Sequence, residues 1–440
     1  MELALFSLLI LINLTNSKKI GVFEPQQVHI ALGVTIDKIS VTWSTRYDTV
    51  ESIVVYGIDN LESGNETIGT SSKFVDATGK NVQYLHHVTL SGLKPATKYT
   101  YICGSKGQWS PVYTFTTMKA GNDWSPRFVF YGDLGFINSQ SVPRLDKDIQ
   151  NGMYDVALHV GDFAYNLDTY SGTTGDNFMN IIQPVAANLP YMTCPGNHEF
   201  ANNFTQYKRR FFMPGDENGD RMYYSFNVGP IHIISFSTEY FFDINYGIMQ
   251  IPRMFEWLKN DLRKATINRN EQPWIVTMAH RPMYCSNDDR DDCTHHESLV
   301  RVGVPILHIF GLEDLFNEYG VDLMLWAHEH SYERLWPIYN REVYNGSRQY
   351  PYTNPGAPVH IITGSAGCQE NIDPFDKDRP YWSAKRIPDY GYTRMAVINR
   401  THLYMEQVSD SKGGSVADQM WLIKEKHGPY PTAMKFRQVP

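Results

Sequence analysis

Residues 127–133, RFVFYGD, and 155–162, DVALHVGD, share one shape: an apolar run that stops at Gly-Asp. Four later stretches behave alike: LPYMTCPGNHE (189–199), IHIISFSTE (231–239), PWIVTMAHRP (273–282) and VDLMLWAHEH (321–330). Short apolar runs of this kind read as strands buried on both faces. Helix-like stretches lie between them, at Val142–Asn151, Asp176–Ala187 and Pro252–Ala265. Strands alternating with helices imply an α/β layered fold, a β-sandwich with helices on both sides. In open α/β sheets the ligand site lies past the carboxyl ends of the strands. That is where these stretches put their polar residues.

The texture differs upstream of a linker at Lys119–Ser125 (KAGNDWS). From Gln27 to Thr117 the chain shows short alternating strands (HIALGV, KISVTWST, SIVVYG, HHVTLSGL, KYTYICG, PVYTFTT) separated by turn residues. That spacing predicts an all-β sandwich. Leu93–Tyr99 reads as a loop entering a strand, with a tyrosine that ties the corner. Together with Trp43 it gives the segment a resemblance to a fibronectin type III domain, expected to support its neighbour. The expected division is residues 1–17 an export signal, 22–118 the fibronectin-like domain, 124–400 the catalytic α/β domain, and 401–440 a C-terminal extension packed on it.

Length and composition agree with a multidomain globular protein. The chain has 440 residues, 42% hydrophobic and 20% charged, with a net charge of −8. Lys and Arg form no basic stripe, which speaks against nucleic acid as a partner. Leu3–Leu14 is an apolar run too short for a transmembrane span, and Thr15 and Ser17 suit cleavage after Ser17, although Glu2 stands where a basic residue is usual. N-glycan acceptor triplets begin at Asn65, Asn203, Asn345 and Asn399. The charged stretch from Lys435 argues against a lipid-anchor tail. The expected location is therefore extracellular, or lysosomal by the same route. Of five cysteines, Cys285 and Cys293 are the expected disulfide, because they close a small Asn/Asp-rich loop without a core. Cys103, Cys194 and Cys368 are expected as buried thiols, though a free cysteine could also join two subunits.

Five strand-end segments carry the chemistry: Gly132–Gly135 (GDLG), Gly161–Tyr165 (GDFAY), Gly196–Glu199 (GNHE), Val276–His280 (VTMAH) and Ala327–His330 (AHEH). A single Gly-Asp after a strand is usually a turn. Taken together, carboxylates, a phenol, an amide and imidazoles suit a dinuclear site for Fe, Zn or Mn. Such a pair can clamp the attacking and leaving oxygens of a phosphoryl displacement.

In order and residue type these segments resemble the signature blocks of the purple acid phosphatases, within the metallophosphoesterase superfamily, and most of all the animal acid phosphatase type 7 branch. The resemblance runs from about Val28 to beyond Gln407, and Tyr165 separates this family from metallophosphoesterases without a phenolate ligand. It implies that Asp133, Tyr165 and His330 bind Fe(3+), that Asp162 bridges, and that Asn197, His280 and His328 complete a divalent site for Zn2+, Fe2+ or Mn2+. It implies hydrolysis of small phosphate monoesters by in-line attack of a metal-bound hydroxide. His198 is expected at the phosphate, and in His295-His296 the second residue matches the family's proton donor and the first its phosphate contact. Ala327 stands where the family has Gly, tolerable if the backbone there keeps negative φ. Phe163-Ala164 replaces the commoner Leu-Ser, at positions that bind no metal.

Alternatives are the same centre acting on phosphodiesters or nucleotide anhydrides, and a secreted binding protein with a relic metal domain. His159 and His232 are expected as core residues. Arg281 and Arg334 are expected either to steady an anion or to form salt bridges within the loops.

Overall fold

The computed structural model describes residues 21–432, apart from 22, 63 and 216–221. The expected export signal lies outside the described residues.

Residues 26–116 fold into two facing sheets. One has the order Gln26–Leu32, Ile39–Thr45, Val82–Leu90, Thr70–Val75; the other runs Asn65–Ile68, Ile53–Ile58, Lys98–Ser105, Gln108–Trp109, with Tyr113–Thr116 also paired to Lys98–Ser105. Lys98–Ser105 alternates buried and partly exposed side chains over its first half, as a strand with one face on a core should. Trp43 is buried and stacks on His86, ring centroids 5.0 Å apart. The tyrosine corner is present: the Lys94 N–H donates to Tyr99 Oη at 3.0 Å.

Beyond residue 126 two larger sheets form. The six-stranded sheet has the order Tyr191–Cys194, Val156–Val160, Arg127–Tyr131, Gly391–Val397, His402–Ser409, Ser415–Ile423. Its first three strands are parallel and the rest antiparallel. The seven-stranded sheet runs Tyr224–Val228, Ile231–Ser235, Trp274–Met278, Leu323–Trp326, Val359–Thr363, Tyr332–Leu335, Ser383–Ile387, with four parallel strands at its centre. Wholly buried runs such as VALHV and WIVTM are what parallel strands covered on both faces require. Helices Val142–Gln150, Thr173–Ala186 and Gln250–Ile267 lie close to the expected stretches. The segment after residue 400, read as an extension, supplies the last two strands of the six-stranded sheet.

A buried polar junction joins the sandwich to the second part. Asp176, on helix Thr173–Ala186, accepts from Arg210 Nη2 at 2.8 Å and pairs with Arg46 Nη2 at 2.9 Å. Asn81 and Gln83 of the sandwich each donate to it at 2.9 Å. Gln27 accepts from Arg210 Nη1 at 2.9 Å. Beside them His29 is buried, its ring nitrogens 2.8 Å from the Gln27 carbonyl and 3.0 Å from that of Arg210.

Candidate metal centre

The two sheets divide the donors by chemistry. The three parallel strands of the six-stranded sheet end in Asp133, Asp162 with Tyr165, and Asn197; Trp274–Met278 and Leu323–Trp326 of the other sheet end in His280 and in His328 and His330. Oxygen donors come from one sheet and imidazoles from the other, and they meet where the sheets approach. There the Gly132 N–H donates to the Thr363 carbonyl at 3.0 Å.

Two groups of donors result. In the first, His280 Nε2 lies 3.2 Å from Asp162 Oδ2, 3.1 Å from Asn197 Oδ1 and 3.2 Å from His328 Nδ1. His280 Nδ1 is 2.8 Å from the Val160 carbonyl, so its proton belongs there and Nε2 is left with a lone pair. In the second, His330 Nε2 lies 2.8 Å from Tyr165 Oη and 3.5 Å from Asp133 Oδ1, and Tyr165 Oη donates to Asp133 Oδ1 at 3.2 Å. Donors at bond lengths of about 2.1 Å around one ion stand about 3.0–3.5 Å apart, so these spacings fit metal coordination. The donor types, hard oxygens mixed with imidazole, fit it as well.

The electrostatics point the same way. Burial would lower the His280 and His330 pKa values, yet Asp162 with Asp133 holds His280 up at about 10, and Asp133 with Cys368 holds His330 up at about 12. Burial favours a protonated Asp162, but His280 outweighs it and keeps the carboxyl ionised. Without metal ions the protons occupy positions that positive charge is built to fill.

Backbone shape sets the donors. Asp133 (φ 56°), Asp162 (51°), Tyr165 (56°) and His328 (72°) all stand in the left-handed region that non-glycine residues avoid. Close packing surrounds them: a Cβ on Gly161 would lie 2.5 Å from His280 Nδ1, and one on Gly196 would lie 2.2 Å from Asp162 Oδ1. Ala327 keeps its φ out of the left-handed region, and its methyl fills the space opposite Gly132, where a Cβ would come within 2.3 Å. Phe163 is core, stacked on Phe211 and Tyr207.

His198 sits beside the centre. Its N–H donates to Asp162 Oδ1 at 2.9 Å, and its ring packs on Tyr165 with centroids 4.5 Å apart. Its Nε2 is 3.8 Å from Asp162 Oδ2 and 3.7 Å from Glu370 Oε2. His295 and His296 are exposed, and among the described residues neither ring bonds to a metal-ligand candidate. The disulfide forms between Cys285 and Cys293, and the loop it closes delivers Asp291 instead. Asp291 makes a short contact to His328 Nε2 and pairs with Arg281 at 3.3 Å. If His328 presents Nδ1 to a metal, its proton is on Nε2, and Asp291 is the acceptor that fixes this tautomer.

Sequence reasoning gave no role to Asp291 or Glu199 and placed Cys368 as a buried thiol without linking it to the centre. Glu199 accepts from the N–H groups of Asp162 (2.9 Å), Gly196 (2.9 Å) and Phe163 (3.0 Å), clamping two ligand loops together. Burial and the neighbouring Asp162 raise its pKa to about 8. Its place two residues after Asn197 was the available signal. Cys368, a buried thiol like Cys103 and Cys194, lies 3.2 Å from His330 Nδ1, a contact no local pattern announces. Arg334 is held by Asp418 at 2.6 and 2.9 Å, and Arg281 by Glu239 at 3.0 Å, while the Arg281 Nη1 also stands 2.7 Å from His328 Nε2, beside the centre. His159 is buried against Tyr191 Oη at 2.5 Å, and the partly buried His232 pairs with Asp261 at 2.9 Å.

Comparison with known proteins agrees with this geometry. Residues 25–117 match the model for the purple acid phosphatase N-terminal domain, 126–332 that for calcineurin-like phosphoesterases, and 357–419 that for iron/zinc purple acid phosphatase-like protein C. Acid phosphatase type 7 of Homo sapiens is 52% identical over 429 residues, 96% of this chain and 97% of its own length. The Danio rerio protein of that name is 54% identical over 419 residues, 92% of this chain and 93% of its own. Purple acid phosphatase 22 of Arabidopsis thaliana is 30% identical, covering 91% of this chain and 85% of its own. The structure of purple acid phosphatase PPD1 from yellow lupin superposes with a TM-score of 0.76 at 24% identity, over 91% of this chain and 74% of that one, and shares the fold. The family implies a dinuclear metal centre, and the donors converge as one requires. The chain belongs to the purple acid phosphatase family, in its animal acid phosphatase type 7 branch, and is an acid phosphatase.

Proposed function

We propose that the chain hydrolyses small phosphate monoesters in acid at an Fe(3+)–divalent centre, with Zn2+, Fe2+ or Mn2+ as the second ion. The observation that carries this is the pairing of Tyr165 with His330 and Asp133 on one side and of His280 with Asn197 and His328 on the other. Asp133, Tyr165 and His330 would hold the ferric ion; Asn197, His280 and His328 the divalent one; Asp162 would bridge. When bound, the pair supplies Lewis acidity and a nucleophile active below neutral pH.

The chain's own residues do the rest. Glu199 and the close-packed glycines hold Asp162 in place. Asp291 orients His328 through Nε2. His198, partly open to solvent on the Tyr165 ring, is placed to donate a hydrogen bond to a bound phosphate oxygen. His295 and His296, exposed just past the disulfide at Cys293, are open to substrate, His296 as proton donor to the leaving alcohol and His295 at the phosphate. A route through the secretory pathway, to the exterior or the lysosome, is supported by the exposure of Asn65, Asn203, Asn345 and Asn399 and by the disulfide. Among the described residues no helix is long and apolar enough to cross a membrane.

The test is direct. Purified protein is expected to show visible tyrosinate–iron absorption and to hydrolyse p-nitrophenyl phosphate at about pH 5. A colourless, metal-free and inactive preparation overturns the proposal.

A further inference from the structure

Next to the centre lies a second group of acids with no assigned use. Asp289, Glu329 and Asp373 bring one carboxylate oxygen each within 4.8 Å of one another. Like charges at that distance repel unless a proton or a cation lies between them. Among the described residues no lysine or arginine pairs with any of the three; the ion-pair partner of Asp373 is His330, at 3.5 Å.

Two further oxygens are conspicuous. Glu329 is 1% exposed, and its Oε2 is buried without a hydrogen-bond partner. Asn287 is 3% exposed; its Nδ2 donates to Ser331 Oγ at 3.0 Å and to the Asp373 carbonyl at 3.4 Å, while its Oδ1 is buried and unpartnered. An unmade bond to a buried acceptor costs about 1–3 kcal/mol, more for a charged group. Two such acceptors beside three acids whose one cationic neighbour among the described residues is the His330 imidazole describe a place for a cation.

We infer that Asp289, Glu329 and Asp373 form a third cation site that takes one hard divalent ion, Ca2+ foremost. The set is all oxygen, unlike the imidazole-bearing centre, and oxygen ligands select Ca2+, Mg2+ or Mn2+ over Zn2+. Three carboxylates, bound through one or both oxygens, and waters reach the 6–8 ligands that Ca2+ accepts.

The ion has a structural consequence for the catalytic pair. Asp289 belongs to the loop closed by Cys285 and Cys293, which also carries Asp291 to His328. Asp373 receives the His330 N–H at 2.6 Å. One cation therefore fastens both loops that steady imidazoles of the centre.

The experiment uses the whole metal-loaded protein, stripped of weakly held ions with EGTA. Ca2+ is titrated by calorimetry and thermal unfolding is followed with and without it, while Fe and Zn are counted separately, so the two-metal reading stands or falls on its own. We expect one Ca2+ per chain and a Tm that rises with Ca2+. Asp289→Asn, at an exposed position outside the core, should weaken binding about tenfold or more by removing one ligand charge. Glu329→Gln should abolish the Ca2+-dependent rise in Tm. Absence of binding and of stabilisation by Ca2+, Mg2+ and Mn2+ up to about 10 mM, or an Asp289→Asn protein that binds as the parent does, overturns the inference.

Discussion

Asp162 and Asp176 are both 1% exposed, and the chain treats them in opposite ways. Asp176, at the junction, is answered by two guanidinium groups and three side-chain amides. Asp162 faces His280 and His198, with the acids Asp133 and Glu199 close by. A buried charge must be partnered. At the junction the polypeptide supplies the partner; at the centre it supplies imidazoles, which can bind a metal only when neutral, and the dinuclear centre that the family implies would supply the positive charge. Structural and functional burial of the same group are thus distinguished by what stands opposite it.

The comparison can be broken most severely at Asp162. Asp162→Ala should lose both metals and reduce p-nitrophenyl phosphate hydrolysis to background; elemental analysis showing a full metal pair would refute the bridge. Asp176→Asn should cost about 3–5 kcal/mol in urea denaturation, since Arg210 is left buried without its counter-charge. Its metal content per folded chain should be unchanged, and a normally stable but metal-poor protein would invert the contrast. Asp291→Asn should weaken the divalent site by about 10–100-fold, measured by competition with a chromophoric chelator.

The smallest effect is a pH dependence at the junction. Burial lowers the His29 pKa from 6.5 to about 4. The unfolded chain therefore takes up the proton first as pH falls. The stability His29 contributes is complete above pH 6.5 and drains away toward pH 4. Between about pH 6 and 5 the loss is about 1 kcal/mol, and His29→Gln should flatten that part of the curve. Parallel curves for the two proteins would show that His29 is not buried as a neutral ring.

What was legible in the chain followed from local pattern. Strands that stop at Gly-Asp, Gly-Asn-His and Ala-His announce both their burial and their polar ends, because a parallel strand leaves little between the two. The tyrosine corner at Tyr99 and the disulfide loop were readable for the same reason: cause and consequence lie within a few residues. Asp291 was not, since Asp288, Asp289, Asp291 and Asp292 are equivalent in sequence and only the fold of the loop selects one. The contact of Cys368 with His330, and the sandwich residues that reach Asp176, depend on elements far apart in the chain.

The left-handed backbone at Asp133, Asp162, Tyr165 and His328 has an evolutionary reading. Glycine at any of these positions would relieve a conformation that costs about 1 kcal/mol or more per residue, so each donor is kept against a standing thermodynamic gradient. A lineage that had abandoned the chemistry would drift toward glycine there before its core began to erode.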